Sequence, residues 1–167
     1  MNEITGDLQD IRDGALSVSK VCNRWIAPAC SSNALMMRAG RIHWNLARAI
    51  SGWAFDLPAR GGSSHGTASG DFALSVQLNR LTMLHIGQEM RAQWIDDQTG
   101  LLLQQLASAR AMYDSAGVDA LLQPHQGELQ SLRAALKEYC LERRLSQAAS
   151  RNRWRWSSAH NAVESYT

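Results

Sequence analysis

The chain has 167 residues, 45% of them hydrophobic, with a formal net charge of +2 and only three prolines. That length suits one domain with a sizeable core, or one domain carrying an extended arm, and excludes an array of independent domains. Leu, Ala, Gln, Ser and Arg dominate, so the expected fold is all-α: an antiparallel helical hairpin or bundle of four main helices with coiled-coil-like packing, completed within the chain or by oligomerisation.

The first helix is predicted from about Asp7 to Ala27, because Leu8, Ile11, Ala15, Val18, Cys22 and Trp25 recur at alternating spacings of three and four. Pro28 stops it, and Ser31 or Ser32 supplies an N-cap for a second helix reaching about Phe55. On that helix Leu35, Ala39, Ile42, Leu46, Ala49 or Ile50, and Trp53 form an apolar stripe, while Arg38, Arg41, Asn45 and Arg48 form a basic one. Charge is uneven along these two helices. Glu3, Asp7, Asp10 and Asp13 make the start acidic, whereas residues 14–55 hold no Asp or Glu and carry Lys20, Arg24, Arg38, Arg41 and Arg48. Such a run favours an anionic partner (phosphate, anionic lipid or an acidic protein surface) unless counter-charges arrive from elsewhere in the fold.

Residues 58–71 read as a flexible Gly/Ser linker, of a composition that would equally suit an engineered join between two pieces. From about Phe72 to Ala116 a long helical pattern follows, with Leu74, Leu78, Leu81, His85, Gln88, Ala92, Ile95, Thr99, Leu102, Leu106, Ala109, Tyr113 and Ala116 on one stripe. Gly87 and Gly100 weaken it, so a bend near Gly100 is an alternative to one continuous helix. Polar residues at seam positions, here His85, Gln88 and Thr99, can fix register or oligomeric state. The stripe Leu74, Leu78, Leu81, His85, Gln88, Ile95, Leu102 and Leu106 is therefore the expected self-association seam, unless its polar members simply face water.

Gly117 suits the C′ position after that helix, Asp119 can cap a brief turn through Leu122, and Pro124 suits the start of the next helix. That helix runs from about His125 to Ser150, with Leu129, Leu132, Leu136 and Tyr139 or Cys140 inward, and Leu141 and Leu145 on a slightly rotated stripe. Residues 151–167 read as a polar tail in which Arg151, Arg153 and Arg155 alternate with Trp154 and Trp156. Arginine offers phosphate contacts and tryptophan a stacking plane or a headgroup anchor; the bland alternative folds both tryptophans back onto the bundle.

No pattern names a reaction. The histidines, His43, His65, His85, His125 and His160, form no metal-binding pair of a recognised kind, and Glu-x-x-His is absent. His85 and Glu89 stand one turn apart, which leaves a pocket lined by His85, Glu89 and Trp94 as the one enzyme or metal-binding reading; a partly buried core histidine explains His85 more simply. Ser63, Ser64 and His65 lie in the linker, where no rigid scaffold holds a nucleophile to its base. Asp96 and Asp97 are adjacent and point different ways on a helix, so a solvated face explains them better than an acid–base pair. Cys22, Cys30 and Cys140 contain no C-x-x-C pair and read as reduced, mostly buried thiols. The chain begins Met-Asn-Glu, unlike a signal peptide's basic start, and no apolar run approaches the roughly 18 residues of a membrane span, so a cytoplasmic location is expected.

The stretch from Phe72 to about Ala149 resembles the phasins, bacterial coat proteins of polyhydroxyalkanoate granules. The likeness lies in a Gln- and Ala-rich helix (Leu101-Leu102-Leu103-Gln104-Gln105-Leu106-Ala107), a short acidic connector (Gly117-Val118-Asp119-Ala120-Leu121-Leu122) and a second Leu/Gln/Ala helix from Gln126. It implies a non-enzymatic amphipathic protein that self-associates and coats an apolar granule surface, with no residue-level motif to carry over. The expected function is thus a helical assembly or surface-coating protein without a cofactor, partnered by its own copies or another helical protein. The alternative is a nucleic-acid binder using Arg38, Arg41, Arg48, Arg151, Arg153, Trp154, Arg155 and Trp156.

Overall fold

The computed structural model describes residues 2–26, 33–56, 87–113 and 115–164, with side chains from 6–26, 34–53, 87–113 and 115–151. Among the described residues every regular element is helical: α1 (Asn2–Trp25), α2 (Asn33–Asp56), α3 (Gln88–Met112) and α4 (Ala116–Glu164). The linker of 58–71 and the seam residues Leu74, Leu78, Leu81 and His85 lie outside them.

The stripe read on α1 is the stripe that buries. Leu8, Ile11, Ala15, Val18, Cys22 and Trp25 all lose nearly all contact with water. On α2 the buried band is rotated from the one expected: Met36, Ala39, Ile42, His43, Leu46, Ala47 and Ile50 are inside, while Leu35, Ala49 and Trp53 lie at its edge. A Cβ on Gly40 would come within 3.3 Å of both the Cys22 Cβ and the Asn23 Oδ1, so α2 packs tightly on α1 there.

Around the bundle α1 packs against α2 and α3, and α4 packs against α3 and α2, so α2 and α3 stand at opposite corners. Among the described residues a polar contact between them crosses the core, His43 Nε2 to Thr99 Oγ1 at 3.3 Å. On α3 the expected band Ala92, Ile95, Thr99, Leu102, Leu106 and Ala109 is buried throughout, and the helix runs unbroken through Gly100. Gly100 has a packing role. The guanidinium of Arg133 lies 3.2–3.3 Å from where a Cβ at Gly100 would be, and is held by Asp96 at 2.8 Å. Similar pairs fix α3 along α4: Arg110 with Asp119 beside the turn, and Arg144 with Glu89 at the far end. Partner numbers in α4 rise as those in α3 fall.

The connector after α3 differs from expectation. Gly117 is not a C′ residue and Pro124 does not start a helix; both lie inside α4, which begins at Ala116. Proline inside a helix removes one hydrogen bond and costs about 3 kcal/mol. Val118 and Leu122, however, are 1% and 0% exposed and continue the inward band of Leu129, Leu132 and Leu136. Burying two such side chains contributes on the order of 1.5–3 kcal/mol each, which outweighs the missing bond. Pro124 itself is exposed. Pro124→Ala is accordingly expected to stabilise the fold by roughly 1–3 kcal/mol, read as a raised midpoint in denaturant; an unchanged or lowered midpoint would mean that α4 is interrupted there.

Residues 151–164, read as a polar tail, continue α4. With 49 residues α4 is about 73 Å long at 1.5 Å per residue. Its last residues therefore run past Glu89, near the start of α3, by roughly 30 Å.

Candidate interaction faces

With the core closed by the chain's own helices, whatever recognises a partner must be found on the surface. Two of the exposed large apolar side chains lie on α2, Met37 at 57% and Trp44 at 52%. Arg41 and Arg48 alternate with them, giving Met37-Arg41-Trp44-Arg48 at successive steps of four, three and four residues. That spacing puts all four on one side of the helix. Arg41 and Arg48 are exposed and form no ion pair among the described residues. Residues 14–55 contain no carboxylate, so no residue of α2 before its last, Asp56, offers them a counter-charge. Arg38 differs from its two companions in the basic stripe: it is half-buried and donates to the Ser131 hydroxyl at 2.8 Å, tying α2 to α4.

A second apolar face lies on α3. Met90, Leu101 and Met112 are 65%, 54% and 65% exposed, and the exposed Asp97 lies between Met90 and Leu101 on the same side. A third runs along α4, where Leu141 and Leu145, the rotated stripe of the sequence, are 58% and 62% exposed. Arg151 is exposed further along the same helix. The side chains of Arg153, Trp154, Arg155 and Trp156 lie outside the described residues.

The described part of the expected seam faces inward. Ile95, Leu102 and Leu106 are at most 3% exposed and covered by this chain's own helices. Gln88 is half-buried and accepts from the Tyr139 hydroxyl at 3.0 Å and from Arg143. Thr99, the other polar member within the described region, donates to the Ile95 carbonyl at 2.6 Å. A carbonyl only accepts, so His43 Nδ1, 2.8 Å from the Ala39 carbonyl, carries the ring proton, and Nε2 is left facing Thr99. Burial pushes the His43 pKa down to about 4, against a smaller upward pull from the Ala39 carbonyl. His43 is thus a neutral core residue.

Of the residues in the enzyme reading, His85 is outside the described set, and the other two face different neighbours. Glu89 is held by Arg144 at 2.7 Å, whereas Trp94 packs edge-on against Trp25, ring centroids 5.3 Å apart. Arg91 completes that end of α1 by lying over the Trp25 ring and donating to its carbonyl. Among the described residues no three His, Cys, Asp or Glu side chains come together as a metal ion would need. Burial raises both described thiols, Cys22 to about 12 and Cys140 by burial first and the nearby Glu89 second. Neither is a ready nucleophile at neutral pH. No helix of the described residues is long and apolar enough to cross a membrane.

What sequence reasoning missed is the apolar content of the α2 and α3 outer faces. Periodicity on α2 admits two apolar bands, one through Met36, His43 and Ala47 and one through Met37 and Trp44. Counting histidine as polar hides the first, and treating the arginine stripe as purely basic hides the second.

No protein-family model, no curated protein and no solved structure matches the chain.

Proposed function

We propose that this protein is a non-enzymatic helical assembly protein, an antiparallel bundle with coiled-coil-like seams that works by docking its outer helix faces onto partners. The observation that carries this reading is the Met37-Arg41-Trp44-Arg48 face on a bundle whose core is already closed. Half-exposed methionine and tryptophan at helical spacing make an anchor typical of protein interfaces. The arginines between them add orientation and on-rate more than affinity. The partners are further copies of the chain or another helical protein, in the manner of the phasin-like coat that residues 72–149 suggest, and the setting is the cytoplasm.

Light scattering with in-line sizing tests it. Mass should rise with concentration over the micromolar range, and a monomer at every concentration, with no apolar surface detected by dye binding, would end the assembly reading.

Arg41 and Arg48, which form no ion pair among the described residues, favour one competing reading, nucleic-acid binding that also uses Arg151, Arg153, Trp154, Arg155 and Trp156. Its affinity for single-stranded nucleic acid would fall steeply with salt, and removing the three tail arginines would flatten the slope by up to about two to three units. Salt-independent binding, or none, rules it out.

A further inference from the structure

Resting on the assembly reading, we infer that the protein joins its copies head to tail, the α2 face of one molecule seating on the α3 face of the next. Three observations carry this. The two faces lie on helices at opposite corners of the bundle, so one flat partner cannot cover both, whereas a single heterologous contact repeated from copy to copy covers each in turn. Their chemistry is complementary. The α2 face holds Arg41 and Arg48 with Met37 and Trp44, and the α3 face holds Asp97 with Met90, Leu101 and Met112. Two α2 faces would instead bring four arginines together with no carboxylate between them, which disfavours a symmetric pairing through that helix.

The spacing also matches. Met37, Arg41, Trp44 and Arg48 stand at offsets of 0, 4, 7 and 11 residues, and Met90, Asp97 and Leu101 at 0, 7 and 11. Laid against each other in opposite directions, Met37 falls on Leu101, Arg41 on Asp97 and Arg48 on Met90. Trp44 then falls over the turn between Met90 and Asp97. A heterologous contact whose rotation does not close leaves an unused α2 face at one end and an unused α3 face at the other, so growth is open-ended.

Complementation between two one-sided variants tests this. Met37→Lys/Trp44→Lys blocks the α2 face, and Asp97→Lys/Leu101→Lys blocks the α3 face, so that the two blocked faces also repel one another; all four positions are exposed, and far-ultraviolet spectra and denaturant midpoints confirm that each variant is folded. Each variant alone should weaken self-association at least about tenfold, equivalent to 1.4 kcal/mol, and run as a monomer at concentrations where the wild type grows. Mixed in equal amounts they should form a dimer and stop, because the one intact α2 face meets the one intact α3 face. A wild type that associates while either variant still does so, through Leu141 and Leu145 of α4 for example, overturns the head-to-tail contact and leaves the assembly reading standing. Two monomeric variants that fail to complement also overturn it. A wild type that is monomeric throughout removes both.

Discussion

Acidification from pH 7 to pH 4 should remove about 3 kcal/mol of folding stability through His43 alone. The imidazole is fully buried, and burial lowers its pKa from 6.5 to about 4. Between those values the unfolded chain binds a proton that the folded chain does not, so each step down in pH favours unfolding. The stability is complete above pH 6.5 and is lost as pH falls toward 4, just above the ordinary carboxylate range. The hydrogen bonds do not forbid protonation. A charged ring would donate from Nδ1 to the Ala39 carbonyl and from Nε2 to Thr99, whose own proton already goes to Ile95. Desolvation is what opposes it. His43→Leu removes the titrating group while filling similar volume, so its denaturant midpoint should be much flatter over this window than the wild type's. Parallel curves for the two would show that the acid sensitivity lies elsewhere.

Leu106→Ala should lower stability by about 2–5 kcal/mol, and by the same amount at low and high protein concentration. Leu106 is 0% exposed and belongs to one core with Ile11, Leu46, Leu129 and Leu136. Truncation leaves a cavity in a close-packed interior, and neighbouring helices fill it only in part. If this leucine instead met a second molecule, the loss would shrink on dilution, because the contact would already be absent in the dissociated chain. Leu101, five residues earlier and 54% exposed, gives the contrast: Leu101→Ala should change the stability of the dilute protein by no more than about 0.5 kcal/mol. Urea titrations at two concentrations distinguish these outcomes.

Much of the fold was legible because leucine-type side chains mark the inner band wherever one band dominates. On α3 from Ala92 and on α4 from Leu129 to Leu136 the predicted and buried residues coincide, and on α1 every predicted residue is buried, joined by Ser19 and Val21. Legibility failed where two signals competed. Gly117 and Pro124 carry strong local boundary signals, yet Val118 and Leu122 gain more by burial than the helix loses at the proline. On α2 the inner band includes His43, which a count of apolar residues passes over. The basic character of the candidate face was readable from the absence of carboxylates in residues 14–55. Its apolar half was not, because Met37 and Trp44 look like core until another band has filled the core.

The methionine methyls provide the most direct test of which surfaces meet a partner. Met36 is 1% exposed, while Met37, Met90 and Met112 are 57%, 65% and 65% exposed, so adjacent residues of one helix serve as probe and control. In carbon-13 methyl spectra of the intact chain across a dilution series, the resonances of Met37 and Met90 should move with concentration while that of Met36 stays still. Movement of Met36 with the outer methyls fixed, or no movement at concentrations where the mass rises, would contradict the account.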